Sequence, residues 1–207
     1  MPTEWLNSRV LAGLAGAVLL VGAALILFSL GGRYVAGYVS EAGDPSARYP
    51  NAYRAGVLAL AVGLLLFSGA VARVSGLAAA LVIAAAGGAA VSGAVSCSPG
   101  CPLPPYENST VSDLVHAGAS LAAGALFTLA LGALVLSRRA GRLRVLAGVG
   151  FAVLAPFGLT IVALMLAVGR SGITAVLERA ILVAALGWVL SACWLLLRRP
   201  PAAVADT

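Results

Sequence analysis

Six stretches of this chain contain no Asp, Glu, Lys or Arg, and each is long enough to cross a lipid bilayer. They lie between Arg9 and Arg33, Arg54 and Arg73, Arg73 and Glu107, Asp113 and Arg138, Arg144 and Arg170, and Arg179 and Arg198, and hold 23, 18, 33, 24, 25 and 18 residues. A helix rising about 1.5 Å per residue needs roughly 20 apolar residues to span the hydrocarbon. Because lipid leaves no water to pair backbone groups, such stretches must satisfy their own N–H and C=O groups, as a helix does. The pattern predicts an all-α membrane protein, a six-transmembrane-helix bundle filling one domain, residues 1–207. The helices are expected at about 10–31, 55–73, 76–96, 113–137, 145–169 and 178–198.

Composition removes other classes. Charged residues make up 10% of the chain and the mean hydropathy is +1.05, far from soluble domains, in which about a quarter of residues are charged. No polar half remains to build an enzymatic head or a nucleic-acid module. The net charge of +6 is better explained by its placement. With the N-terminus inside, the inner segments carry Arg9, Arg73, Arg138, Arg139, Arg142, Arg144, Arg198 and Arg199 against Glu4 and Asp206. The outer segments balance Arg33, Arg48, Arg54, Arg170 and Arg179 with Glu41, Asp44, Glu107, Asp113 and Glu178. This asymmetry predicts both termini inside, with the cluster Arg138 to Arg144 as the strongest signal. The aromatic residues agree: Tyr34, Tyr38, Tyr49, Tyr53 and Tyr106 fall at the outer edge, and Trp5 and Trp194 near the inner one. The first span lacks a small-residue cleavage site, so it is expected to stay as a helix. The Ala, Gly and Arg usage without Lys suggests a bacterial inner membrane.

Proline and small residues shape the connections. Pro45 and Pro50 break the outer loop 33–54, and Pro99, Pro102, Pro104 and Pro105 forbid regular helix between Cys97 and Ser112. The turn around Arg73 to Ser75 makes the second and third helices antiparallel neighbours, and Pro156 predicts a kink in the fifth. Small residues recur at four-residue spacing in the third span (Ala84, Gly88, Ser92, Ser96) and the fourth (Ser120, Gly124), where they let backbones approach closely.

The chemistry is bounded by what is missing. Without Lys there is no Schiff base or phosphate-loop lysine, and with His116 as the single histidine no multi-histidine metal site can form. No cofactor and no metal are expected. Cys97 and Cys101, separated by Ser-Pro-Gly on the outer side, are predicted to pair as a structural disulfide, and Cys193 to pack inside the last span. The remaining polar residues gather at one face: Ser40, Glu41 and Asp44 after the first helix, Asp113 and His116 opening the fourth, Glu178 and Arg179 opening the sixth. Asp113, His116 and Ser120 share a helical stripe. An imidazole one turn into the bilayer should face the interior and find a partner such as Asp113, Glu41 or Glu178. Each group also has a plain reading: Thr110 with Asp113 as a capping box, Glu178 with Arg179 as an interfacial pair, Glu41 as a backbone acceptor, His116 as a structural hydrogen-bonder.

The stretch Gly37 to Pro45 (GYVSEAGDP), Asn51 to Gly56 (NAYRAG), the Asp113-x-x-His116 start of helix four and Glu178-Arg179 resemble the bacterial membrane family catalogued as domain of unknown function 998. The likeness covers nearly the whole chain and implies a six-helix protein without an assigned activity. The Ser-Glu-x-Gly element also distantly resembles the outer-loop signature of the FRAG and DRAM membrane proteins.

Two functional readings follow. In the first, a non-catalytic protein receives a lipid or small amphiphile in an outer polar pocket of Glu41, Asp113, His116, Glu178 and Arg179, with Arg179 pairing an anionic group. In the second, an intramembrane hydrolase or acyltransferase uses Ser40 as nucleophile or His116 as base, oriented by Asp113 or Glu41. Membrane lipids are the expected partners, and nucleic acid is not. A proton-coupled transporter lacks ionisable groups deeper than His116.

Overall fold

The computed structural model describes residues 2–31 and 37–198, with side chains from Ser8 onward. Arg33, Tyr34, Arg199, Asp206 and the side chains of Glu4 and Trp5 lie outside the described residues. Among the described residues the chain forms six long helices: α1 (Pro2–Ser29), α2 (Pro50–Val71), α3 (Gly76–Ala94), α4 (Val111–Leu136), α5 (Arg142–Val168) and α6 (Gly172–Leu197). All six are long and apolar enough to cross a membrane. Between α1 and α2 lies a short 3-10 helix, Val39–Gly43.

Local chemistry sets the helix ends, and in places moves them from where charge alone put them. Pro50 does not merely break the preceding loop. It occupies the first turn of α2, where a missing N–H costs nothing, so α2 starts five residues before the expected 55. Ser171 accepts from the Thr174 N–H, so α6 starts at Gly172 rather than near 178. Glu178 and Arg179 thus sit inside α6, not at its start. In α5 the helix runs unbroken through Pro156.

Each helix packs against its neighbours in sequence, and α1 against α6 closes the ring. Large side chains such as Leu136, Leu159, Val145 and Val183 remain 70–81% exposed, as expected where lipid rather than water is the solvent. Packing inside depends on close approach. At the α1–α2 crossing, a Cβ on either Gly22 or Gly56 would stand 2.8 Å from the other's carbonyl oxygen. On α3, a Cβ on Gly88 would meet the Ala119 oxygen at 2.9 Å, and Ser92 bonds Ser120 at 2.7 Å, so the small-residue ridge joins α3 to α4. Gly124 has nothing within 4 Å and takes no part.

The apolar core is not spread evenly along the bundle. Its members are the inward-facing residues of the stretches 12–19, 67–74, 78–85, 127–134, 140–154 and 188–196, among them Leu19, Phe67, Val82, Leu131, Leu143 and Trp188. Because successive helices alternate in direction, these all lie in the half toward the termini. Trp188 is its centre: Phe67 and Phe127 meet it edge-on, and its indole N–H donates to the Leu146 carbonyl at 2.8 Å. The opposite half carries the long connections 37–49 and 95–110, and there, among the described residues, all the buried polar residues but Ser68 collect.

Candidate functional site

The 37–49 connection is strapped onto the start of α6. The carboxylate of Glu178 accepts from the Val39 N–H at 2.7 Å, and the Arg179 guanidinium donates to the Gly37 carbonyl at 2.7 Å and the Ala175 carbonyl at 3.5 Å. Gly37 sits at φ +84, and a Cβ there would run into the Glu41 carboxylate. Glu41 accepts from the Tyr38 N–H at 3.0 Å and pairs with Arg170. The Tyr38 hydroxyl bonds Thr174, and burial raises its phenol above the usual 10.0 against the opposing pull of that bond.

Arg170 is the hub of this cluster. It pairs with Glu41, reaches Glu107 at 3.5 Å and lies with its guanidinium carbon 5.3 Å from the Tyr38 ring centre. Its Nε–H is buried with no acceptor among the described residues. A cleft of about 290 Å³ opens beside it, lined by Gly37, Tyr38, Arg170, Ser171, Gly172 and Ala175. A second cleft, about 240 Å³, lies between α4 and α5 among Leu114, Leu121, Val162, Met165 and Leu166, closed toward the loops by Leu103 and Pro104. The two are joined through a few contacts. The Leu103 N–H donates to Glu107, Glu107 faces Arg170, and the Tyr106 hydroxyl donates to the Leu166 and Ala167 carbonyls at 3.0 and 2.7 Å.

Asp113 and His116 stand in a separate cluster under the 97–101 loop. Asp113, 1% exposed, accepts from the N–H and hydroxyl of Ser98 and from the N–H and hydroxyl of Thr110. It completes the Thr110 capping box and clamps the cysteine loop to α4 at once. The partner of His116 is not a carboxylate. Its Nδ1 lies 2.9 Å from the Ser92 carbonyl and 3.1 Å from that of Val95, because the last turn of α3 presents carbonyls without helical partners. Cys97 and Cys101 have their sulfurs at disulfide distance and their Cα atoms 5.0 Å apart, while Cys193 is free and buried. A ring nitrogen of His116 and the two sulfurs all lie within 4.8 Å of one another.

The candidate residues therefore divide. Glu41, Glu178 and Arg179 meet around the 37–44 segment, and Asp113 and His116 meet the 95–110 loop. Ser40 stands in the 3-10 helix with the first group, and among the described residues His116 bonds Ser92 and Val95, not Ser40. The two loops touch where the Gly100 N–H donates to Asp44 at 3.2 Å. Sequence reasoning assigned Arg170 only to the charge balance. The Ser171-x-x-Thr174 cap, which makes Arg170 a loop residue facing the strap, was the available signal. The histidine count argues against a multi-histidine metal site only and does not bear on two cysteines beside one histidine.

A ring of six apolar helices with most of its buried polar groups at one end defines a multi-pass helical membrane protein. The family described as "Protein of unknown function (DUF998)" matches residues 12–195, which include parts of all six helices, and the chain belongs to it. No curated protein and no solved structure matches the chain.

Proposed function

We propose that the protein holds a membrane amphiphile without transforming it. An acyl chain lies in the cleft between α4 and α5, and the headgroup meets Arg170 at the outer surface. The observation that carries this reading is an apolar cleft between helices that face lipid, linked through Leu103 and Glu107 to a guanidinium whose Nε–H lacks an acceptor among the described residues. A buried donor without a partner is unfavourable, and a phosphate or ester oxygen would satisfy it. Arg179 is already spent on backbone carbonyls, so Arg170 takes the role that sequence reasoning gave to Arg179. Arg170 and Arg179 stand among Glu41, Glu107 and Glu178, so the cluster has no excess positive charge. A zwitterionic or uncharged headgroup suits it better than a strong anion.

Lipid carried through purification in mild detergent, read by native mass spectrometry, tests this. Gly118 lines the cleft and a Cβ there meets nothing within 4 Å, so Gly118→Phe brings a ring to the cleft with no clash at its first carbon. The wild type should retain lipid, Gly118→Phe should lose it, and Arg170→Gln should change which headgroups remain. Equal retention of the same lipids by all three folded proteins would end the proposal.

A further inference from the structure

We infer that Cys97, Cys101 and His116 form a redox-gated site for a thiophilic divalent cation, Zn(II) in class, which binds when the two cysteines are reduced. The three side chains are 2%, 9% and 5% exposed, and their ligand atoms lie within 4.8 Å of one another. Soft thiolates with an imidazole form a donor set that zinc takes.

The state of the imidazole is the independent observation. Both groups bonded by Nδ1 through the backbone are carbonyl oxygens, which only accept, so in the neutral ring Nδ1 carries the proton and Nε2 keeps the lone pair. Nε2 is buried and has no hydrogen-bond partner among the described residues. An imidazole held by a carbonyl on one nitrogen, with the other left free, has the arrangement of a metal-ligating histidine. The loop is held in register independently of the sulfurs. Asp113, three residues before His116 on α4, binds the N–H and hydroxyl of Ser98, which lies between the two cysteines. Gly100 at φ +83 and Cys101 at φ +47 turn the chain back toward Cys97. Net charge also favours a divalent ion: two thiolates, a neutral imidazole and Zn(II) sum to zero, which a buried position needs.

The chemistry balances with a dithiol as reductant. The Cys97–Cys101 S–S bond accepts two electrons and two protons and breaks into two thiols, while the reductant's thiols join as its own disulfide. Zn(II) then displaces the two thiol protons to solvent and forms two Zn–S bonds and one Zn–N bond to Nε2, with water in the fourth position. In the oxidised protein the sulfurs are bound to each other and no thiolate is on offer, so the disulfide gates the site.

The test uses the full chain in detergent, reduced by a phosphine under anaerobic conditions and freed of reagent. Zn(II) uptake is measured against a chromophoric chelator, and Co(II) serves as a probe through its thiolate charge-transfer absorption. The reduced wild type should take up one equivalent and show the Co(II) band, and the oxidised protein should do neither. His116→Ala should weaken binding by about tenfold or more, Cys193→Ala should leave it unchanged, and alkylating Cys97 and Cys101 in the folded, reduced wild type should abolish it. The alkylation arm needs no variant to fold. Equal uptake by oxidised and reduced protein, or undiminished uptake after alkylation, would overturn the assignment.

Discussion

Replacing Asp113 by Asn changes one atom and should cost more than most helix-cap substitutions. One carboxylate oxygen accepts from the Ser98 N–H at 2.6 Å, and the other from the Thr110 N–H, the Thr110 hydroxyl and the Ser98 hydroxyl at 2.7 Å each. The hydroxyls can rotate and become acceptors, but the two backbone N–H groups cannot. Whichever way the amide is turned, its NH2 faces one of them, donor against donor. A buried N–H left without a partner costs about 1–3 kcal/mol, and bonds to a charged acceptor are worth about 1 kcal/mol more than neutral ones. Loss of the negative charge at the α4 N-terminus removes a further 0.3–1 kcal/mol, roughly. These contributions overlap, and a total of about 2–4 kcal/mol is expected. Unfolding in mixed micelles of increasing denaturing detergent, followed by circular dichroism, measures it. A loss below about 0.5 kcal/mol, the range of an ordinary surface change, would refute the view that Asp113 clamps the cysteine loop.

Three other outcomes follow from the same structure. Gly56→Ala places a methyl 2.8 Å from the Gly22 carbonyl oxygen, whereas Gly87→Ala meets nothing within 4 Å. The first should destabilise by about 1–2 kcal/mol net of its gain in helix propensity, and the second should be neutral or slightly stabilising in the same unfolding assay. Peptide mass mapping without reductant should find Cys97 joined to Cys101 and only Cys193 open to alkylation after denaturation; free thiols at both positions in air-oxidised protein would contradict this. In intact cells a membrane-impermeant maleimide should label Ser46→Cys and not Arg139→Cys, and the reverse pattern would invert the expected orientation.

How much of this was legible beforehand depended on how local each feature is. The spans could be read because charge is excluded along whole stretches, and the Thr110–Asp113 box because a cap lies within four residues. Gly88 and Ser92 could be picked out because a four-residue spacing puts them on one helix face; Gly124 has the same spacing and no neighbour, since spacing does not say which face meets a partner. The division of Glu41, Glu178 and Arg179 from Asp113 and His116 depends on the order of helices around the ring, which no local pattern carries. The same is true of Arg170, whose partners Glu41 and Glu107 lie 129 and 63 residues away. His116 meets carbonyls rather than a carboxylate because the C-terminal end of α3 stands beside it, and only the packing of α3 on α4 places it there.

On the proposed function, a lipid chain occupies the α4–α5 cleft at the end of the bundle that carries the long loops. Photo-crosslinking in vesicles with a phospholipid bearing a diazirine in its acyl chain tests it most directly, with labelled peptides mapped by mass spectrometry. Labelling should concentrate on the peptides holding Leu114, Leu121 and Met165, and be lost in Gly118→Phe. Labelling spread evenly over lipid-facing positions such as Leu20, Val183 and Leu159, and unchanged in that variant, would contradict it.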